Sequence, residues 1–90
     1  MKAKIIIVDN ANRVCAAITE NNEFIILRLK KGYQPEIGDL ITYNYIQPLS
    51  KKEYYNYTKD ESFEAAFENV CLNQVQAETY CFNHLKIQAQ

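Results

Sequence analysis

Short apolar blocks, separated by clusters of turn-forming residues, occupy the first half of the chain and predict β-strands. Residues 4–8 are β-branched and apolar, and they end in Asp9-Asn10-Ala11-Asn12. Residues 13–19 and 23–30 predict a hairpin, turning through Asn21-Asn22, asparagines that tolerate left-handed dihedrals. With Glu20 opposite Glu23, the expected register pairs Ile18 with Ile25, Ala16 with Leu27 and Val14 with Leu29 on one face. The other face then pairs Thr19 with Phe24, Ala17 with Ile26 and Cys15 with Arg28. That second face is apolar in part, so another element is expected to cover some of it.

The following stretch, KKGYQPEIGDLITYNY, carries both glycines of the chain. Lys30 and Lys31 close the preceding strand, Gly32 suits a positive φ, and Pro35 fixes a bend. Ile37 is expected to anchor inward, and Gly38-Asp39 to turn the chain into a strand over residues 40–46. A loop follows through residues 47–52, then a short strand over 53–58 and a turn at Lys59-Asp60-Glu61. Residues 62–72 fit two periods. Phe63, Ala65, Phe67, Asn69 and Cys71 alternate as in a strand, while Phe63, Ala66, Phe67, Val70 and Cys71 suit a helix; the strand reading is preferred. Asn73 and Gln76 then form a capping pair for a helix over about residues 73–85, with Val75, Phe82 and Leu85 on one stripe and Cys81 at its margin.

An apolar residue, Gly-Asp and then a strand is a pattern found in small barrels, and residues 3–46 resemble the OB and SH3-like kinds. The resemblance implies a fold and no function. The expected fold is mainly β: one domain over residues 1–90, a small antiparallel barrel of five or six short strands with a C-terminal helix.

Composition removes several classes of function. Net charge is −1 with a pI near 5.8, without the basic excess usual for a nucleic-acid coat. The charge is nevertheless polarised, since the cations gather before residue 60 and acids outnumber them after it. The apolar run after Lys4 is too short for a secretory core, and nothing approaches a membrane span. Three cysteines without metal or redox spacing point to thiols in a reducing cytoplasm, where the sequon Asn56-Tyr57-Thr58 has no meaning.

Candidate chemistry is sparse. Cys81 and His84, three apart on the expected helix, could form a nucleophile–base pair, but no third group is placed to orient the histidine. Glu61, Glu64 and Glu68 read as a solvated acidic face. Neither glycine belongs to a phosphate-binding loop, and no cofactor or metal is expected. What stands out is tyrosine beside lysine: Tyr43, Tyr45, Tyr54, Tyr55 and Tyr57, flanked by Lys30, Lys31, Lys51 and Lys52. Tyrosine is enriched in protein interfaces, so the leading expectation is a non-enzymatic binding module that contacts a protein partner or its own copy. The alternative is single-stranded nucleic acid, held on aromatic platforms beside a basic groove.

Overall fold

A computed structural model describes residues 2–42 and 51–88, with side chains described for all of these but 51, 52 and 82–88. Six strands, β1 (Lys2–Asp9), β2 (Val14–Thr19), β3 (Phe24–Leu29), β4 (Leu40–Thr42), β5 (Lys51–Asn56) and β6 (Glu61–Cys71), precede one helix, α1 (Gln74–Gln88). The strands close into a barrel in the order β1-β2-β3-β6-β5-β4, with every neighbouring pair antiparallel. Two three-stranded meanders are thus joined along β3–β6 and β1–β4. This is the small antiparallel barrel with a C-terminal helix that the sequence predicts, and 62–72 is strand throughout most of its length.

The barrel has two cores because its strands alternate between two covered faces. Ala3, Ile5, Cys15, Ala17, Ile25, Leu27, Ile41, Tyr54, Phe63 and Phe67 fill the interior. Ile7, Val14, Ala16, Phe24, Ile26 and Cys71 lie on the outer face, where α1 covers them with Ala77 and Cys81. Of the expected second face of the hairpin, Phe24 and Ile26 have this cover, whereas Cys15 and Ala17 lie in the interior. In β1 the register shifts between Ile5 and Ile7. That extra residue lets Ile5 face inward and Ile7 outward, a bulge of the kind that lets a sheet curl into a barrel.

The hairpin register differs from expectation by one residue. Cys15 pairs with Leu27, Ala16 with Ile26 and Ala17 with Ile25. The turn has three residues rather than two: Thr19 N–H donates to Glu23 O at 2.8 Å, Asn22 N–H returns to Thr19 O at 3.0 Å, and Asn22 has φ 61°. A three-residue loop ending in a left-handed residue is a standard hairpin closure. The Thr19 hydroxyl adds support by accepting from the amides of Asn21 and Glu23.

A second bulge falls in β6, where Leu27 faces Phe67 but Ile26 faces Asn69. The additional residue, Glu68, is turned onto the outer face and accepts from Arg28 Nε at 2.8 Å, Arg28 Nη2 at 3.1 Å and the Tyr80 hydroxyl at 3.1 Å. Arg28 also donates to Asn12 O at 3.1 Å. One carboxylate thus ties the helix to β3, and through Arg28 to the β1–β2 turn. The expected acidic face is in part this structural brace.

Asn73 caps α1 as expected. Its Oδ1 accepts from Gln76 N–H at 2.9 Å, and Gln76 Oε1 accepts from Leu72 N–H at 2.9 Å. The buried stripe, however, does not include Val75 as expected. Ala77 and Cys81 are buried and Tyr80 is half-buried, while Val75 is 71% exposed. Small residues face the barrel because α1 lies directly on β1–β3, where a larger side chain would hold it away. The expected stripe members Phe82 and Leu85 lie outside the described side chains.

Candidate functional site

The connection from β3 to β4 has to pass between strands that are not neighbours, and it does so across one mouth of the barrel. Two similar turns shape it. Tyr33 N–H donates to Lys30 O at 3.2 Å with Gly32 at φ 93°, and Asp39 N–H donates to Glu36 O at 3.1 Å with Gly38 at φ 99°. A positive φ at the third position is the type II pattern, which requires glycine or asparagine there. Both glycines are therefore backbone devices. Pro35 is buried between the turns. Ile37, expected as the inward anchor, is instead 69% exposed, because the second position of such a turn projects from its tip.

The inward role belongs to Tyr33, whose ring stacks on Phe63 with centroids 4.5 Å apart and planes 3° from parallel. Phe63 in turn lies against Tyr54 at 5.6 Å. Beside this stack is a buried polar hub. Asn56, fully buried, donates from Nδ2 to Asp39 Oδ2 at 2.8 Å and to the Tyr33 hydroxyl at 3.0 Å, while its Oδ1 accepts from Lys59 N–H at 3.0 Å. Asp39 Oδ2 also accepts from Glu36 N–H at 3.0 Å. The hub bolts the crossover to the β5–β6 turn. Lys59 strengthens the joint from outside, reaching Gln34 O at 3.1 Å and Glu36 Oε1 at 3.2 Å. Burial, more than the bond from Asn56 opposes it, pushes the Tyr33 phenol up to about 12, so its hydroxyl stays protonated.

Against this frame the expected binding residues separate into groups. Tyr54 is not on the surface: it is 3% exposed and belongs to the interior core. A tyrosine at that register position faces into the barrel, as its partner Phe63 does. Its hydroxyl is buried and has no hydrogen-bond partner among the described residues. Removing a buried, unpartnered hydroxyl relieves a desolvation cost, so Tyr54→Phe is expected to raise stability by about 1 kcal/mol. A higher urea midpoint at unchanged slope would show this, and a lower midpoint would reveal a partner for the hydroxyl.

Tyr55 and Tyr57 stay at the surface side of β5, edge to face at 5.0 Å and 80°. Tyr55 is half-buried and its hydroxyl donates to Asp60, whereas Tyr57 is 46% exposed with Lys2 Nζ 4.6 Å from its ring centre. Tyr57 N–H donates to Leu40 O, and Leu40 N–H to the Thr58 hydroxyl. Exposed Leu40 and Tyr57 therefore lie on bonded backbone, and exposed Ile37 is on the turn that leads directly into Leu40, so the three are carried on segments that the Asn56 hub joins. Leu72 and Val75 are also exposed, at the β6–α1 junction.

Lys30 and Lys31 lie on the other side of the crossover. Both are exposed, and Lys30 makes a loose ion pair with Glu64 at 3.7 Å. The register sets Lys51 opposite Ala66 and Lys52 opposite Ala65, while β3 sets Arg28 and Leu29 against the same two alanines. Four lysines distant in sequence are thus carried to one region of sheet. Tyr43 and Tyr45 lie outside the described residues.

The cysteines are buried and unpaired. Burial pushes all three thiols up, Cys81 to about 12 with smaller contributions from Cys71, Asp9 and Glu68. A reactive cysteine needs the opposite shift, and Cys81 is buried; the side chain of His84 lies outside those described. Among the described residues no group of three His, Cys, Asp or Glu could hold a metal ion, and no helix is long and apolar enough to cross a membrane. Sequence reasoning passed over Tyr33, Asp39 and Asn56, and only the Gly-Asp turn hinted at the position of Asp39. No protein-family model matches the chain, and neither the curated proteins nor the solved structures contain a match to it.

Proposed function

We propose that this chain is a non-enzymatic, cytoplasmic binding module that makes protein contact, pairing with a second copy of itself through the corner of Ile37, Leu40 and Tyr57. The observation that carries this reading is large apolar surface held on rigid backbone. Ile37 and Tyr57 are 69% and 46% exposed, yet the turns that bear them are braced by a fully buried asparagine. Such a surface loses little conformational freedom on binding, which lowers the entropic cost of association. The rim carries both signs, with Lys2, Lys59, Glu36 and Asp60 around the apolar centre. A two-fold contact requires a self-complementary patch, and mixed charge around an apolar centre meets that requirement. Free, buried thiols accord with a reducing cytoplasm.

Sedimentation velocity from micromolar to near-millimolar protein tests the reading. The weight-average sedimentation coefficient is expected to rise with concentration, and to stay flat for Ile37→Ser/Tyr57→Ser. Both side chains are exposed, and the hydrogen bonds that fix these turns come from other groups, so the variant keeps its fold. A chain that remains monomeric over the whole range would refute self-pairing.

A further inference from the structure

Two depressions adjoin on the lysine side of the crossover, and their linings differ in a chemically telling way. One, of about 320 Å³, is bounded by Arg13, Arg28, Lys30 and Lys31, with Ala65 and Ala66 among the small residues of its floor. The other, of about 380 Å³, is bounded by Tyr33, Phe63, Ser62, Glu53 and Glu64. Lys30, Lys31 and Glu64 line both, so the two adjoin across these side chains. The first offers cations above a low floor. The second offers an aromatic wall, already stacked and locked by the Asn56 bond, with carboxylates and a hydroxyl nearby.

That asymmetry matches one kind of ligand. A nucleotide carries a phosphate, which seeks Arg and Lys, and a planar base, which stacks on an aromatic ring and donates amino hydrogens to carboxylates. Arg28 is engaged with Glu68 and Lys30 only loosely with Glu64 at 3.7 Å, so Arg13, Lys31 and Lys30 are the exposed cations at the depression. A simple anion site would not need Tyr33 or the acids, and a protein interface would not need a cation-lined hollow beside an aromatic one. We infer that this paired depression binds single-stranded nucleic acid, with phosphate at Arg13, Lys30 and Lys31 and a base beside Tyr33. The surface is separate from the Tyr57 corner and does not depend on self-pairing.

The test is fluorescence anisotropy with short labelled single strands of mixed sequence, RNA in one arm and DNA in the other, beside a duplex, over a range of salt. At least three phosphate contacts predict a slope of log K against log salt of about −2 or steeper. Arg13→Ala/Lys30→Ala/Lys31→Ala, which changes only exposed side chains, is expected to flatten that slope by about two. Tyr33→Leu is expected to weaken binding about tenfold with the slope unchanged. Its fold is checked by circular dichroism; should it fail to fold, the triple variant still decides. No binding at low salt, or binding undiminished in the triple variant, overturns the inference. So does equal affinity for duplex that survives Tyr33→Leu, which would mark a general polyanion patch.

Discussion

Phe67→Ala is expected to remove about 3–5 kcal/mol of stability, the range for truncating a buried aromatic ring. A domain of ordinary stability has about 5–15 kcal/mol in total, so the variant should sit close to the edge of folding. The ring is 2% exposed in the barrel interior, opposite Leu27 on β3. The size of the loss depends on whether the surroundings can collapse into the void. Here they are held. Phe67 immediately precedes the bulge at Glu68, and that residue is fixed by two bonds from Arg28 and one from Tyr80. The backbone on which the cavity would have to close is therefore anchored from outside the barrel. Phe67→Leu, which keeps most of the volume, should cost about 1–1.5 kcal/mol. Urea titrations of both variants check this, read as midpoint shifts at constant slope. A loss below about 1 kcal/mol for the alanine variant would mean that the interior relaxes freely.

The same bulge shows where sequence reasoning reaches its limit. Alternation in 62–72 correctly indicates a strand, and Phe63, Ala65 and Phe67 do face inward. Past Glu68 the phase reverses, so that Asn69 is exposed and Val70 packs toward the interior. Nothing in the composition of the segment marks the extra residue. The hairpin register fails for a related reason. Register can be read from a pattern only when one face is buried and the other is not. Val14, Cys15, Ala16 and Ala17 are all buried, two on each side of the sheet, because α1 covers what the barrel does not. With both faces apolar, a slip of one residue exchanges one good set of partners for another. The turn then decides, and Asn22 at positive φ selects three residues.

The candidate site was legible only at its edges. Gly38-Asp39 reads as a turn in the sequence, and Lys30, Lys31 and Tyr57 as candidate binding residues. Its centre was not, because the partners of Asn56 are Asp39 and Tyr33, far away in sequence and on another connection. A buried asparagine looks the same as a loop asparagine until the chain has folded around it. Ile37 misled in the opposite sense. Its hydrophobicity suggested an anchor, while Pro35 and Tyr33 perform that task and leave it outside.

Asn56→Ala is expected to cost about 2–4 kcal/mol, and to act on both proposed surfaces at once. Asn56 is fully buried and uses both amide hydrogens and its carbonyl oxygen. Truncation leaves the carboxylate of Asp39, a residue only 4% exposed, with the Glu36 amide but without its side-chain donor. An uncompensated buried polar group costs about 1–3 kcal/mol, more when charged, and the void adds to that. Asp39→Ala removes the charge as well as the bond, so it should cost less than the sum of its lost contacts suggests. A double-mutant cycle between the two is expected to give a coupling of about 1–3 kcal/mol, as for neighbours in one network. A coupling near zero would show that the pair does not stabilise the fold through its bond. The functional consequence follows from what the hub joins. On one side it fixes the turns bearing Ile37, Leu40 and Tyr57; on the other it holds the hydroxyl of Tyr33 and so the ring beside the basic depression. At a temperature where Asn56→Ala is still folded, self-pairing and nucleic-acid binding should both weaken although no contacting residue has changed. Loss of one activity with full retention of the other would show that the hub supports only a single surface.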